Sequence, residues 1–136
     1  MRRYLLDTGV AADYIYERHG VPARLHELTL RGIRVGTALP VIGELFAGAE
    51  YSSTRAKNLL RLKRRIDDLI PWPFDRAAAE EFGRVWAHLR RTGRPMQQID
   101  IQIAAIALTL GGTVLVTKDS DFASIPGLTI ENWSQP

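Results

Sequence analysis

Tyr4-Leu5-Leu6-Asp7-Thr8 is an apolar run cut off by an acid. It is too short for a helix and has the composition of a buried strand. The same unit returns late in the chain, where Thr113-Val114-Leu115-Val116-Thr117 leads into Lys118, Asp119, Ser120 and Asp121. Two more acids interrupt apolar segments. Glu44 lies within Val41-Ile42-Gly43-Glu44-Leu45-Phe46, and Asp100 within Ile99-Asp100-Ile101-Gln102-Ile103. An ionised carboxylate in apolar surroundings is costly unless a cation neutralises it. Acids placed in this way predict a core built around a shared metal ion.

Between the two strands, helical and extended patterns alternate. Residues 8–19 read as a helix, and 22–31 as another opened by Pro22. Ile33-Arg34-Val35-Gly36 is a short strand, and Pro40 starts a helix to about Ala49. Ser52-Ser53-Thr54 is expected to cap a helix in which Leu59, Leu62, Ile66 and Leu69 recur at helical spacing. Leu69-Ile70-Pro71-Trp72 is a third strand. Asp75 then caps a helix with Ala78, Phe82, Val85, Trp86 and Leu89 on one face, which Gly93-Arg94-Pro95 breaks. Residues 97–110 form a helix apolar nearly all round, and therefore buried, that Gly111-Gly112 ends. Leu128-Thr129-Ile130 is a last strand. Helices between short apolar strands predict an α/β fold with a parallel sheet covered on both faces. Ligands in such folds bind beyond the carboxyl ends of the strands, where Asp7 and Asp119 fall.

A length of 136 residues predicts one domain, 1–136, with room for a real core. The absence of cysteine excludes disulfides and thiolate metal sites. Asp7 cuts the first apolar stretch short of the ~7–15 residues of a signal-peptide core. No apolar run approaches the ~20 residues of a membrane span, so a cytoplasmic protein is expected. The formal net charge is +3, and its distribution says more than its total. Arg55, Lys57, Arg61, Lys63, Arg64 and Arg65 crowd one segment, and Arg84, Arg90, Arg91 and Arg94 another. Such clusters suit a phosphate backbone, or equally a solvated helix face.

Oxygen-only ligands point to a hard cation, Mg²⁺ or Mn²⁺. Such an ion eases deprotonation of water and stabilises charge building on a phosphoryl group. An acidic metal site beside basic surface is therefore a coherent design for phosphodiester hydrolysis. Each acid taken alone also suits a plainer role. Asp7 suits a helix cap, Glu44 a surface position, and Asp100 a cap or salt bridge. Asp119 and Asp121 suit loop or cap positions. Their joint placement at strand ends and on apolar helices favours the metal. His19, His26 and His88 show no metal-ligand spacing, and no G-x-S-x-G elbow exists. Trp72, Trp86 and Trp133 are expected to pack rather than to stack on bases.

Taken in order, these segments resemble the PIN-domain ribonucleases, and among them the VapC-like toxins of bacterial toxin–antitoxin pairs. The matching motifs are Tyr4-Leu5-Leu6-Asp7-Thr8, Val41-Ile42-Gly43-Glu44-Leu45, Asp100-Ile101-Gln102-Ile103-Ala104-Ala105 and Leu115-Val116-Thr117-Lys118-Asp119-Ser120-Asp121-Phe122. The tail from Ile125 to Trp133 also resembles the family's ending. The resemblance implies a three-layer α/β/α fold with a central parallel sheet. It implies Mg²⁺- or Mn²⁺-dependent RNA cleavage, with Asp7, Glu44, Asp100 and Asp119 as catalytic metal-site acids. Asp121 is implied as an outer metal-site helper, and Thr8 and Thr117 as supporting hydroxyls. Gly9 departs from the polar residue that relatives often carry. A small VapB-like antitoxin and a homodimer are the implied protein partners, and RNA the substrate. The alternatives are an RNA-processing PIN nuclease without an antitoxin and a non-catalytic RNA- or protein-binding module. A dehalogenase-type phosphatase would want a second Asp at position 9, which is Gly.

Overall fold

The computed structural model describes residues 2–134. Five strands form one parallel sheet in the order β3-β2-β1-β4-β5. They are β1 Arg3–Leu6, β2 Arg34–Ala38, β3 Ile70–Trp72, β4 Thr113–Val116 and β5 Thr129–Glu131. The α-helices are α1 Thr8–Ile15, α2 Val21–Leu30, α3 Leu39–Tyr51, α4 Arg55–Arg65, α5 Arg76–Arg91 and α6 Gln98–Leu110. Short 3₁₀ turns occupy Ile66–Asp68 and Ser120–Ser124.

The first apolar run becomes the central strand. Successive side chains of β1 point to opposite faces, yet Tyr4, Leu5 and Leu6 are 5%, 0% and 0% exposed, so both faces of the sheet are covered. Leu115 beside Leu5 is likewise fully buried. Each such leucine contributes about 1.5–3 kcal/mol by leaving water. Helix α6 is the buried helix that its composition predicts, with Ile101, Ile103, Ala104, Ala105, Ile106 and Ala107 all in the core. Beside the sheet, α5 packs along α6 and α3 along α4. Gly36 of β2 faces Ile70 of β3 in register, and a Cβ there would run into the Ile70 carbonyl oxygen and the Trp72 ring. Only glycine lets those two strands approach.

The strand order places β2 on one side of β1 and β4 on the other. Connections leave β1 and β4 in opposite directions across the sheet, so a crevice opens beyond their carboxyl ends. Asp7 and Thr117 are the residues that directly follow these two strands.

Some boundaries depart from the sequence expectation. The helix expected over 8–19 stops at Ile15, because Glu17 (φ 59°) and His19 (φ 56°) turn left-handed ahead of Gly20 (φ 70°). Ser52-Ser53-Thr54 supplies no side-chain cap to α4. Ser52 instead donates to the Ala49 carbonyl at 2.8 Å and accepts from Asn58 Nδ2 at 3.0 Å. Ile66 belongs to a 3₁₀ turn rather than to α4. No helix among the described residues is long and apolar enough to cross a membrane.

Candidate active site

Asp7 is the hinge between β1 and α1. Its Oδ1 accepts from the Val10 N–H at 2.9 Å, capping α1, while its Oδ2 accepts from the Thr117 hydroxyl at 2.6 Å. Thr117, buried at 3% exposure, also accepts from the Asp119 N–H at 2.9 Å. Asp119 Oδ1 in turn accepts from the Asp121 N–H at 2.9 Å and starts the 3₁₀ turn. The cap roles of Asp7 and Asp119 are therefore real, and each consumes one carboxylate oxygen. On the other side of β1, buried Thr37 donates to the Leu6 carbonyl at 2.7 Å and ties β2 down just short of Asp7. Helix α3 then carries Glu44 to the wall of a groove of about 520 Å³, shared with Ala12, Tyr16, Arg18, Leu45 and Arg61. Asp100 sits in the first turn of α6.

Electrostatics ties these positions together. Burial pushes the Asp100 carboxyl up to about 6, and the charges of Asp119, Asp7, Glu44 and Asp121 push the same way. The positive end of the α6 dipole favours an anion in that first turn, but repulsion and burial outweigh it. Asp7 is also raised, by burial first and by the Asp119 charge, and held back by the Thr117 and Val10 hydrogen bonds and by the Lys118 charge. Among the described residues, none of Asp7, Glu44, Asp100, Asp119 and Asp121 belongs to a salt bridge. The Thr8 hydroxyl beside Asp7 is the one buried side-chain polar atom among them with no hydrogen-bond partner.

This donor set fits a hard divalent cation by its chemistry: oxygen ligands only, mutually repelling charges, and an unpartnered hydroxyl. The acids do not close around a point. Among the described residues no group of three His, Asp or Glu side chains is gathered tightly enough to hold an ion directly. Repulsion keeps unscreened carboxylates apart, and Asp7 and Asp119 each spend an oxygen on a turn. Such spacing suits Mg²⁺, which takes one or two carboxylates directly and keeps several waters.

The acids line the rim of the core rather than its interior. Asp7 and Asp100 are half-buried, and Glu44, Asp119 and Asp121 are exposed. Of the tryptophans, Trp72 is buried and Trp133 packs on Tyr4 with ring centroids 5.7 Å apart. Trp86 departs from expectation: it is 43% exposed, with the Arg90 guanidinium 4.7 Å above its ring. A buried acid also escapes the motif pattern. Asp13 on α1 is 4% exposed and accepts from Lys118 Nζ and His19 Nδ1, both at 2.9 Å. Its signal in the sequence is its place three residues after Val10, on the buried face of an otherwise apolar helix.

Comparison with known proteins agrees with this fold. The family model described as the PIN domain matches residues 4–128. The tRNA(fMet)-specific endonuclease VapC of Salmonella typhimurium is 31% identical over 134 residues, covering 98% of this chain and 99% of that protein. The crystal structure of DNA-bound VapBC from Salmonella typhimurium matches with a TM-score of 0.87 at 32% identity, covering 98% of this chain and 99% of the other. VapBC2 from Rickettsia felis, bound to a promoter DNA fragment, matches with a TM-score of 0.89 over 96% of this chain and 98% of its own. At 24% identity that last likeness speaks for the fold alone. A family pattern running over nearly the whole chain, and a full-length relative above 30% identity on the same backbone, make this chain a member of the PIN-domain family.

Proposed function

We propose that the chain is a metal-dependent endoribonuclease that acts as the toxin of a VapBC-type pair. One observation supports this above the others. Five acids outside any salt bridge among the described residues gather beyond the carboxyl ends of β1 and β4, where burial first and the other four charges second push Asp100 up to about 6. A relative of this fold at 31% identity is named a tRNA(fMet)-specific endonuclease.

Mg²⁺, or Mn²⁺ in its place, is the cofactor that suits the donors. When bound it supplies a readily deprotonated water and offsets charge on the phosphoryl group. Asp7, Glu44, Asp100 and Asp119 would hold it, with Asp121 acting from the outer side. The Asp7 carboxylate is aimed by two hydrogen bonds, so its free lone pairs face the crevice in a fixed direction. Thr117 holds Asp7 and the Asp119 backbone at once, so it sets the spacing of two acids. Thr8 keeps a buried, unpartnered hydroxyl beside Asp7. Asp100 must lose its proton to serve as a ligand, so its raised pKa makes protons compete with the cation, and uptake of the metal weakens as pH falls.

The groove walled by Ala12, Leu45, Gly48 and Ala49 between α1, α3 and α4 is apolar at its base and reaches Glu44. It suits the apolar face of a VapB-like antitoxin helix, whose tail would then cover the acids. A homodimer with its acidic crevices facing a common channel completes the assembly.

The decisive experiment sequences RNA 5′ ends after brief expression of the wild type beside Asp7→Asn. New 5′ ends are expected from the wild type alone, and their positions name the target. Asparagine caps a helix as well as aspartate, so the variant keeps its fold. Identical 5′-end maps from the two proteins would remove the nuclease assignment.

A further inference from the structure

Asp13 is the one charged residue among the buried described residues, and it is saturated with cations. Lys118 Nζ and His19 Nδ1 both meet its Oδ2 at 2.9 Å, and Arg18 Nε meets its Oδ1 at 3.3 Å. One carboxylate needs one cation. Two permanent cations and a histidine leave a positive excess, and it emerges at the surface: the three side chains are 39%, 53% and 52% exposed. Lys118 spends one of its three donors on Asp13, and Arg18 spends its Nε, leaving its terminal nitrogens for an outside acceptor.

The backbone is bent to build this cluster. Glu17 and His19 both hold left-handed φ values, a conformation costing about 1 kcal/mol or more for residues with a Cβ. The turn they form brings the Arg18 N–H onto the Asp13 carbonyl at 2.7 Å and folds Arg18 and His19 back over the carboxylate. The cluster also sits next to the acids. Lys118 lies between Thr117, which holds Asp7, and Asp119. Asp13 is six residues beyond Asp7, or about 9 Å along α1.

We propose that Lys118 and Arg18, organised by buried Asp13, form a phosphate-binding subsite that grips the RNA backbone next to the point of cleavage. The proposal rests on the nuclease reading above. It adds to that reading a second, cationic site, built for the phosphodiester beside the one being cut. Asp13 is a positioning residue in it; Lys118 and Arg18 touch the substrate. The charge balance favours a polyanion over a protein partner: an acidic crevice repels RNA, and a fixed cationic patch at its rim restores attraction.

The test measures binding of a fluorescently labelled single-stranded RNA oligonucleotide to the Asp7→Asn protein across a salt series. Lys118→Gln and Arg18→Gln in that background are each expected to weaken binding about tenfold, and to reduce the slope of log K against log salt by about 0.7. Lys118→Arg restores both. A purely structural role for the cluster moves the melting temperature and leaves the slope alone. Arg18→Gln is a surface change, so its result stands even where Lys118→Gln loosens the fold. Unchanged slopes in Lys118→Gln and Arg18→Gln overturn the subsite, as does a loss of antitoxin affinity alone. Cleavage of the same RNA by the wild type is assayed in parallel. Cleavage with unchanged slopes sinks the subsite only; reduced slopes without cleavage sink the nuclease reading and leave an RNA-binding cluster.

Discussion

Replacing Asp100 with asparagine is expected to stabilise the metal-free protein while destroying its activity. Asp100 rises from 3.8 to about 6 on folding. At about 1.4 kcal/mol per pH unit, that displacement corresponds to about 3 kcal/mol of strain on the ionised form. Asp100 is only half-buried, and solvent screening cuts the figure to about 1.5 kcal/mol. Asparagine forfeits about 0.5 kcal/mol of attraction to the α6 amino terminus. The net gain is about 1 kcal/mol, or about 3–4 °C in melting temperature for a chain of this length. The sign with pH follows from a raised carboxyl. The folded state holds its proton more tightly than the unfolded state, so the wild type loses stability as pH rises from about 4 through about 6. The advantage of the variant is therefore full at pH 7.5 and gone near pH 4. Thermal unfolding followed by circular dichroism in EDTA measures it, and adding Mg²⁺ is expected to raise the wild type toward the variant. A variant that melts lower than the wild type at pH 7.5, or one whose gain persists at pH 4, would refute the picture of an unneutralised acid cluster.

Thr117→Val removes the donor to Asp7 and the acceptor of the Asp119 N–H, and should cost about 1–3 kcal/mol in urea unfolding. It also leaves the Asp7 carboxylate without the bond that aims it, so half-maximal cleavage is expected to need more Mg²⁺; an unchanged Mg²⁺ requirement argues against Thr117 as the residue that sets Asp7. Gly36→Ala drives a Cβ into the Ile70 carbonyl and should lower the melting temperature by about 10 °C, for about 3 kcal/mol. Chelation of divalent ions is expected to stop RNA cleavage and readdition of Mg²⁺ or Mn²⁺ to restore it; cleavage that persists through dialysis against EDTA contradicts the cofactor assignment.

The two central strands were legible because each is an apolar run with a polar stop: Asp7 directly after β1, and Thr117-Lys118-Asp119 after β4. Asp7 ends β1 and caps α1, so one residue carries both a fold signal and a chemical signal. Helix α6 was legible for the opposite reason: its composition leaves it no solvent face. What was hidden depends on contacts between distant segments. Helix α1 ends at Ile15 where Glu17 and His19, residues of ordinary helix propensity, turn left-handed; Glu17 there meets Arg65 and His19 meets Asp13, which Lys118 also contacts from more than a hundred positions away. Ser52 looks like a cap from sequence, yet its hydroxyl closes the end of α3 instead. Trp86 shares an apolar stripe with Val85 and Leu89 but falls at its edge, where Arg90 rather than the core covers the ring. Periodicity reports which face is apolar; it does not report where that face stops.

The hydrogen bond from Thr117 to Asp7 joins residues 110 positions apart. Asp7 is made well before the partner that aims its carboxylate, and Asp119 follows that partner by two residues. At about 5–20 residues per second, the interval between them is about 6–20 s of synthesis. Until β4 slots in beside β1, neither Thr117 nor Asp119 is present to complete the crevice. The crevice is therefore completed in one step, when β4 and the residues after it join β1. The order of residues along the chain thus works as a delay between the making of Asp7 and the completion of the crevice around it.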